Sequence, residues 1–151
     1  MSDYSIPYKI KPSDIDANGH VNYAVYIDAA GDMRYRFFSE NGFPPEMFVQ
    51  LGIGPVYTDI HARLLREVLI GETITITCSL SGLSPLGARW KVHHDFIKSN
   101  GKKAVSLDIE GVILDLKARK PVTPTPHLLQ TFNLLPHSPY FETLPETHRP
   151  K

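Results

Sequence analysis

The segment Ser13-Asp14-Ile15-Asp16-Ala17-Asn18-Gly19-His20-Val21-Asn22 gathers two carboxylates, a histidine and two asparagines into ten residues. A carboxylate in such a loop can attack a carbonyl carbon, or act as general base on a water. The segment leads directly into a helix-forming stretch. The first N–H groups of a helix have no intrahelical acceptor, so they can stabilise a developing oxyanion. These parts together suit acyl transfer to water. Asp, Asn and Gly are equally the ordinary residues of turns, and Asn22 by itself is a suitable helix cap. The ten residues alone leave a structural and a chemical role both open. One histidine makes no metal site, and the loop lacks the calcium-loop spacing. The chain's seven histidines include no pair at ligand spacing beside a third suitable ligand. No G-x-S-x-G, P-loop or G-x-G-x-x-G occurs. No metal and no cofactor are expected.

The elements that must position this loop are readable from periodicity. Ile6, Tyr8 and Ile10 alternate with Ser5, Pro7 and Lys9, which predicts a strand from Tyr4 to Lys11, near an edge because of Pro7. Tyr23, Tyr26, Ile27, Ala30, Met33 and Phe37 fall at three- and four-residue spacings and predict one long helix. Asn22 caps it and Gly42 stops it. Asp32 and Arg36 are placed for an i,i+4 pair on its polar side. Pro44 and Pro45 open a short helical turn to Leu51. Beyond Gly54 the period becomes two. Val56, Thr58, Ile60, Ala62 and Leu64 share one strand face, opposite Tyr57, Asp59, His61 and Arg63. Ile74, Ile76, Cys78 and Leu80 alternate strictly with Thr73, Thr75, Thr77 and Ser79. Trp90, Val92, His94 and Phe96 form the next face, and Val105, Leu107, Ile109 and Ile113 the last. Tight turns join these strands, so they pair antiparallel. The expected fold class is α+β, a curved antiparallel five-stranded sheet against one long helix.

A chain of 151 residues with 42% hydrophobic and 21% charged residues is one globular domain, with or without a tail. Sixteen Lys and Arg balance sixteen Asp and Glu, which argues against nucleic acid or an anionic membrane held by bulk charge. Arg89, Lys91, Lys98, Lys102 and Lys103 crowd one hairpin and read first as a solvated surface. The single cysteine, Cys78, excludes an internal disulfide and is expected in the core. No apolar run approaches a membrane span, and Met1-Ser2-Asp3-Tyr4 lacks signal-peptide features, so a cytoplasmic protein is expected. Seven of the 13 prolines fall at or after Pro121. We therefore divide the chain into a domain over 1–123 and a Pro-rich extension over 124–151. Leu128, Leu129 and Phe132 are spaced for a short helical turn, and the extension is too apolar to be free. It is expected to dock as far as about Leu144, with Pro145–Lys151 frayed.

The run Asp14-Ile15-Asp16-Ala17-Asn18-Gly19-His20-Val21-Asn22-Tyr23-Ala24-Val25-Tyr26 resembles the D-x-D-x-x-G-H-V-N-N-x-x-Y signature of hotdog-fold acyl-CoA thioesterases of the 4-hydroxybenzoyl-CoA thioesterase-like group. Asp32-Met33-Arg34 resembles their acid-x-Arg in the helix. Leu65 to Glu72 resembles their strand-to-turn segment, and Asp115 to Pro121 their closing motif. The resemblance covers Tyr4 to Thr123. It implies a hotdog fold, hydrolysis of an acyl-CoA thioester, Asp16 as the catalytic carboxylate, and Asn18 and His20 as its orienting partners. It also implies Val21, Asn22, Tyr23 and Tyr26 at the substrate, and a homodimer or homotetramer. Tyr23 stands for the usual second asparagine, and Gly31 for a larger or acidic residue. A non-catalytic acyl-binding protein, and an acyl-CoA hydratase or dehydratase, use the same fold and stay open at this point.

Overall fold

The computed structural model describes residues 4–146. Strand β1 (Tyr4–Lys9) precedes a short 3₁₀ turn at Pro12–Asp14 and helix α1 (Tyr23–Glu40). Helix α2 (Pro45–Leu51) follows, then β2 (Ile53–Leu64), β3 (Thr73–Leu83), β4 (Arg89–Ile97) and β5 (Lys103–Asp115). The C-terminal part adds β6 (Lys120–Pro121), α3 (Pro126–Asn133) and β7 (His137–Thr143). The main sheet path is β1-β3-β4-β5-β2, antiparallel throughout. It curls around α1, whose 18 residues run about 27 Å. This is the hotdog arrangement.

The alternation of β3 and β4 dictates the core. Ile74, Ile76, Cys78 and Leu80, with Trp90, Val92, His94 and Phe96, are all buried against α1. The helix answers with Tyr26, Ala30, Met33 and Phe37. Tyr23, expected on the same stripe, is exposed, because it sits at the first turn before the sheet begins to cover the helix. Burial pushes the Cys78 thiol up to about 12, so it behaves as a small hydrophobe. Arg36 pairs with Glu40 at 3.2 Å, one turn downstream, and not with Asp32.

Strand β2 departs from its expected faces. Tyr57 opposes Gly111 and Asp59 opposes Glu110, so Thr58 is the extra residue of a bulge that shifts the alternation. Beyond the bulge every residue from Thr58 to Leu64 is exposed. β2 has β5 on one side and, among the described residues, no strand on the other.

The C-terminal segment is built into the molecule. Leu128, Phe132, Leu135 and Leu144 are buried. β7 runs parallel to the far half of β3, next to the half that β1 covers. The Glu146 carboxylate accepts from Ser84 Oγ (2.9 Å), Leu86 N (2.6 Å) and Ala88 N (3.2 Å), tying the chain end to the β3–β4 turn. Docking thus continues past Leu144, because Glu146 finds three donors there. Residues 147–151, the rest of the segment expected to fray, lie outside the described residues.

Candidate active site

The loop before α1 is pinched by its own backbone. Ile15 and Val21 form a bridge, Asp16 N donates to His20 O (2.9 Å), and Gly19 N donates to Asp16 O (3.1 Å). Gly19 takes φ +76°, a conformation that side chains disfavour and that lets the loop reverse in so few residues. Within this turn Asp16 Oδ1 accepts from the backbone N–H groups of Asn18 (2.9 Å) and His20 (3.3 Å). One carboxylate oxygen is therefore fixed. The other, Oδ2, has no protein partner among the described residues. Asp16 is half-buried, so this oxygen sits at a surface that substrate and water can reach.

Asp14 has the opposite character. It is buried, and its Oδ2 accepts from Lys11 N (2.9 Å) and the Tyr8 hydroxyl (3.0 Å). Its backbone carbonyl holds Asn22 N at 2.8 Å, which aligns the start of the helix. Of the two acids in the motif, Asp14 has both its donors inside the fold, and Asp16 keeps one oxygen without a protein partner among the described residues.

Asn22 caps α1: its Oδ1 accepts from Ala24 N at 2.9 Å, and its carbonyl accepts from Val25 N. The Tyr23 N–H, first of the helix, is left without an intrahelical acceptor, on the side where the dipole is positive.

The sequence-predicted residues divide into two groups. His20, Val21, Tyr23 and Tyr26 line one cavity of about 200 Å³, with Leu64, Leu65, Arg66, Glu67, Val68 and Val105 as its other wall. Asp16, Asn18 and Asn22 stand outside that lining. Asn18 meets Asp16 through its backbone only; its side chain is exposed. The His20 ring makes no hydrogen bond to Asp16 among the described residues, and its Nε2 pairs with Glu67 Oε1 at 2.7 Å. Glu67 was not singled out from the sequence, since it lies 47 positions away in an irregular segment. Its only local signal was its place within the Leu65–Glu72 stretch. Both side chains are about half exposed, so the pair orients the imidazole more than it stabilises the fold. Burial pushes the Tyr26 hydroxyl up to about 12, which keeps it a proton donor inside the cavity.

The basic hairpin residues are mostly engaged. Lys91 pairs with Glu142, Lys98 with Glu72 and Lys103 with Asp95, while Arg89 donates to Pro145 O. Among the described residues no three His, Cys, Asp or Glu side chains come together as a metal site. No helix there is long and apolar enough to cross a membrane.

Solved structures share this architecture, among them the following three. A Staphylococcus aureus protein, solved in complex with CoA, superposes with a TM-score of 0.80 at 17% identity over 99% of this chain and 90% of that one. A 1,4-dihydroxy-2-naphthoyl-CoA thioesterase from Synechocystis gives 0.77 at 9% identity over 87% and 96%. A DHNA-CoA thioesterase from Staphylococcus aureus gives 0.79 at 16% identity over 89% and 91%. No curated protein matches the chain. The family model of the thioesterase-like superfamily matches residues 10–132, from the end of β1 through the pinched loop, α1 and the sheet to α3. On that match the chain belongs to the thioesterase-like superfamily.

Proposed function

We propose that the protein hydrolyses an acyl-CoA thioester to the free acid and CoA, with Asp16 as the reacting carboxylate. The observation that carries this is the Asp16 side chain: one oxygen is locked by two backbone N–H groups, and the other has no protein partner among the described residues. A fixed carboxylate loses little freedom on reaching its target, which is where much of a positioned group's advantage arises. Asp16 either attacks the thioester carbon directly, giving an anhydride that water then hydrolyses to the free acid and the Asp16 carboxylate, or removes a proton from the water that attacks. In both routes the carbonyl oxygen gains charge, and the Tyr23 N–H at the helix start is suited to donate a hydrogen bond to it. The C–S bond then breaks and the sulfur leaves as CoA thiol once protonated. His20, held by Glu67 at the cavity mouth, is suited to deliver that proton.

The superfamily match supports the reaction class, and the similarity to CoA thioesterases and to a protein solved with CoA supports the carrier. The acyl group enters the cavity between Tyr26 and Val105. The working unit is a homodimer. β2 offers an unpaired edge of 12 residues with Tyr57, Ile60 and Leu64 exposed along it, and a second copy pairing there removes both liabilities.

The test is thiol release over a panel of saturated and aromatic acyl-CoA esters. Turnover of a saturated ester with stoichiometric free thiol is expected. A hydratase would need a double bond and would free no thiol, and a purely acyl-binding protein would bind the panel without turnover.

A further inference from the structure

Arg34, eleven residues along α1 from Tyr23 and so about 16 Å from the helix start, is buried. Its Nη1 donates to His94 Nε2 at 2.8 Å, and its Nη2 donates to the Tyr57 hydroxyl. The guanidinium also lies over the rings of Tyr57 (5.3 Å) and Trp90 (5.9 Å). His94 is neutral: burial, then the nearby Arg34 charge, pushes its pKa down to about 3. Its Nδ1–H donates to Thr77 O at 2.9 Å, which leaves Nε2 as the acceptor facing Arg34. Every partner of the guanidinium is uncharged. Among the described residues no carboxylate pairs with it. A buried charge without a counter-ion is costly, and proteins seldom keep one that has no use.

This cation faces a cavity of about 250 Å³ whose other walls include Tyr35, Phe38, Tyr57, Trp90 and Phe132. A second donor on the same lining is also unspent. The Trp90 indole N–H has no hydrogen-bond partner, although the residue is only 2% exposed. Of the five N–H donors of Arg34, two are engaged. An apolar, aromatic chamber with a bare cation and a free N–H has the two halves of a receptor for an amphiphilic anion. A Cβ at Gly31 would stand 3.3 Å from the Tyr57 hydroxyl, and Gly31, with Asp28 and Asp32, lines an outer groove along α1 that shares Tyr35 and Tyr57 with the chamber.

We propose that this chamber binds a carboxylate carried on a hydrocarbon body, with the carboxylate on Arg34 and the hydrocarbon against Phe38, Trp90 and Phe132. Two sources supply that chemistry. One is a free fatty acid. The other is the far end of a dicarboxylic acyl group whose thioester lies at Asp16, and only this second source rests on the hydrolytic reading above.

Trp90 is the only tryptophan in the chain, so its fluorescence reports occupancy without any turnover. The full-length protein is titrated with octanoate and with octan-1-ol. A saturable change with octanoate at least about tenfold tighter than with the alcohol is expected, as for a charge-assisted hydrogen bond, together with loss of that preference in Arg34→Met. Equal affinity for acid and alcohol overturns the proposal, as does an unchanged preference in Arg34→Met. Should Arg34→Met fail to fold, the wild-type comparison decides alone. The second arm compares thiol release from hexadecanedioyl-CoA and hexadecanoyl-CoA. A lower KM for the diacid ester, lost in Arg34→Met, assigns the chamber to the acyl end. Equal KM values with octanoate binding intact assign it to the free acid. Absence of all thiol release defeats the hydrolytic reading and leaves the fluorescence result standing.

Discussion

Asp14 and Asp16 stand two residues apart in different surroundings. Asp14 is buried with two donors on one oxygen, so Asp14→Ala strands Lys11 N and the Tyr8 hydroxyl. We expect a loss of about 1–3 kcal/mol in denaturant unfolding. A variant as stable as wild type would remove Asp14 from the structural role. A second local prediction concerns pH. His93 places Nδ1 on Asp108 (2.8 Å) and Nε2 on Asp95 (2.9 Å), and Lys103 reaches Asp95 at 3.1 Å. The Asp95 hydrogen bond, opposed by burial and helped by Asp108, raises the His93 pKa. Burial pushes Asp95 up, but His93 and Lys103 outweigh it and hold the carboxyl below its usual range. A histidine raised in the folded state adds stability that is complete below its unfolded value, and that fades as pH rises through the folded one. The Asp95 share is present above the ordinary Asp value and is lost as pH falls through the lowered one. Wild type should therefore exceed His93→Gln in Tm by more at about pH 5.5 than at about pH 9. A pair worth about 1 kcal/mol gives about 2–4 °C. A gap that widens with rising pH contradicts the assignment.

At the scale of elements, the C-terminal segment sets the next expectation. α3 and β7 put Leu128, Phe132, Leu135 and Leu144 into the interior, and Phe132 packs on Phe38 (5.1 Å) and Trp90 (6.2 Å). At roughly 1.5–3 kcal/mol for each buried side chain, a chain ending at Thr123 loses about 6–12 kcal/mol, comparable with a whole domain's stability. We expect that truncation to lose its cooperative melt in calorimetry. A truncated chain melting at the wild-type temperature would mean that the segment only decorates the sheet. Legibility followed the same elements. β4 and the first part of β3 alternate strictly and are buried on one face, so periodicity disclosed them along with the long helix. β2 misled beyond Tyr57, because a one-residue bulge inverts a period-two pattern and an edge strand need not bury either face. α3 was legible only as a turn, since eight residues carry little periodic signal. In the site, the turn that holds the Asp16 carboxylate lies within the motif, because the hydrogen bonds that fix it are local. Glu67 and the Arg34–His94 contact could not be read from the sequence, since each joins residues 47 or 60 positions apart that only the curl of the sheet brings together.

For the whole molecule, the unpaired outer edge of β2 sets the expectation for assembly. Light scattering at micromolar concentration should give a dimer. Ile60→Lys, which places a charge on that edge, should shift the population toward monomer while the circular dichroism stays unchanged. A wild-type monomer would refute pairing along this strand. The central claim is that the free oxygen of Asp16 does the chemistry. It is tested most directly by steady-state thiol release from the best acyl-CoA ester with Asp16→Asn, in parallel with its melting curve. The amide keeps an oxygen for the Asn18 and His20 N–H groups, so the loop and the melting temperature should hold. It can neither attack nor take a proton, so kcat should fall by at least about a hundredfold. A variant that melts like wild type and turns over at the wild-type rate would contradict the account.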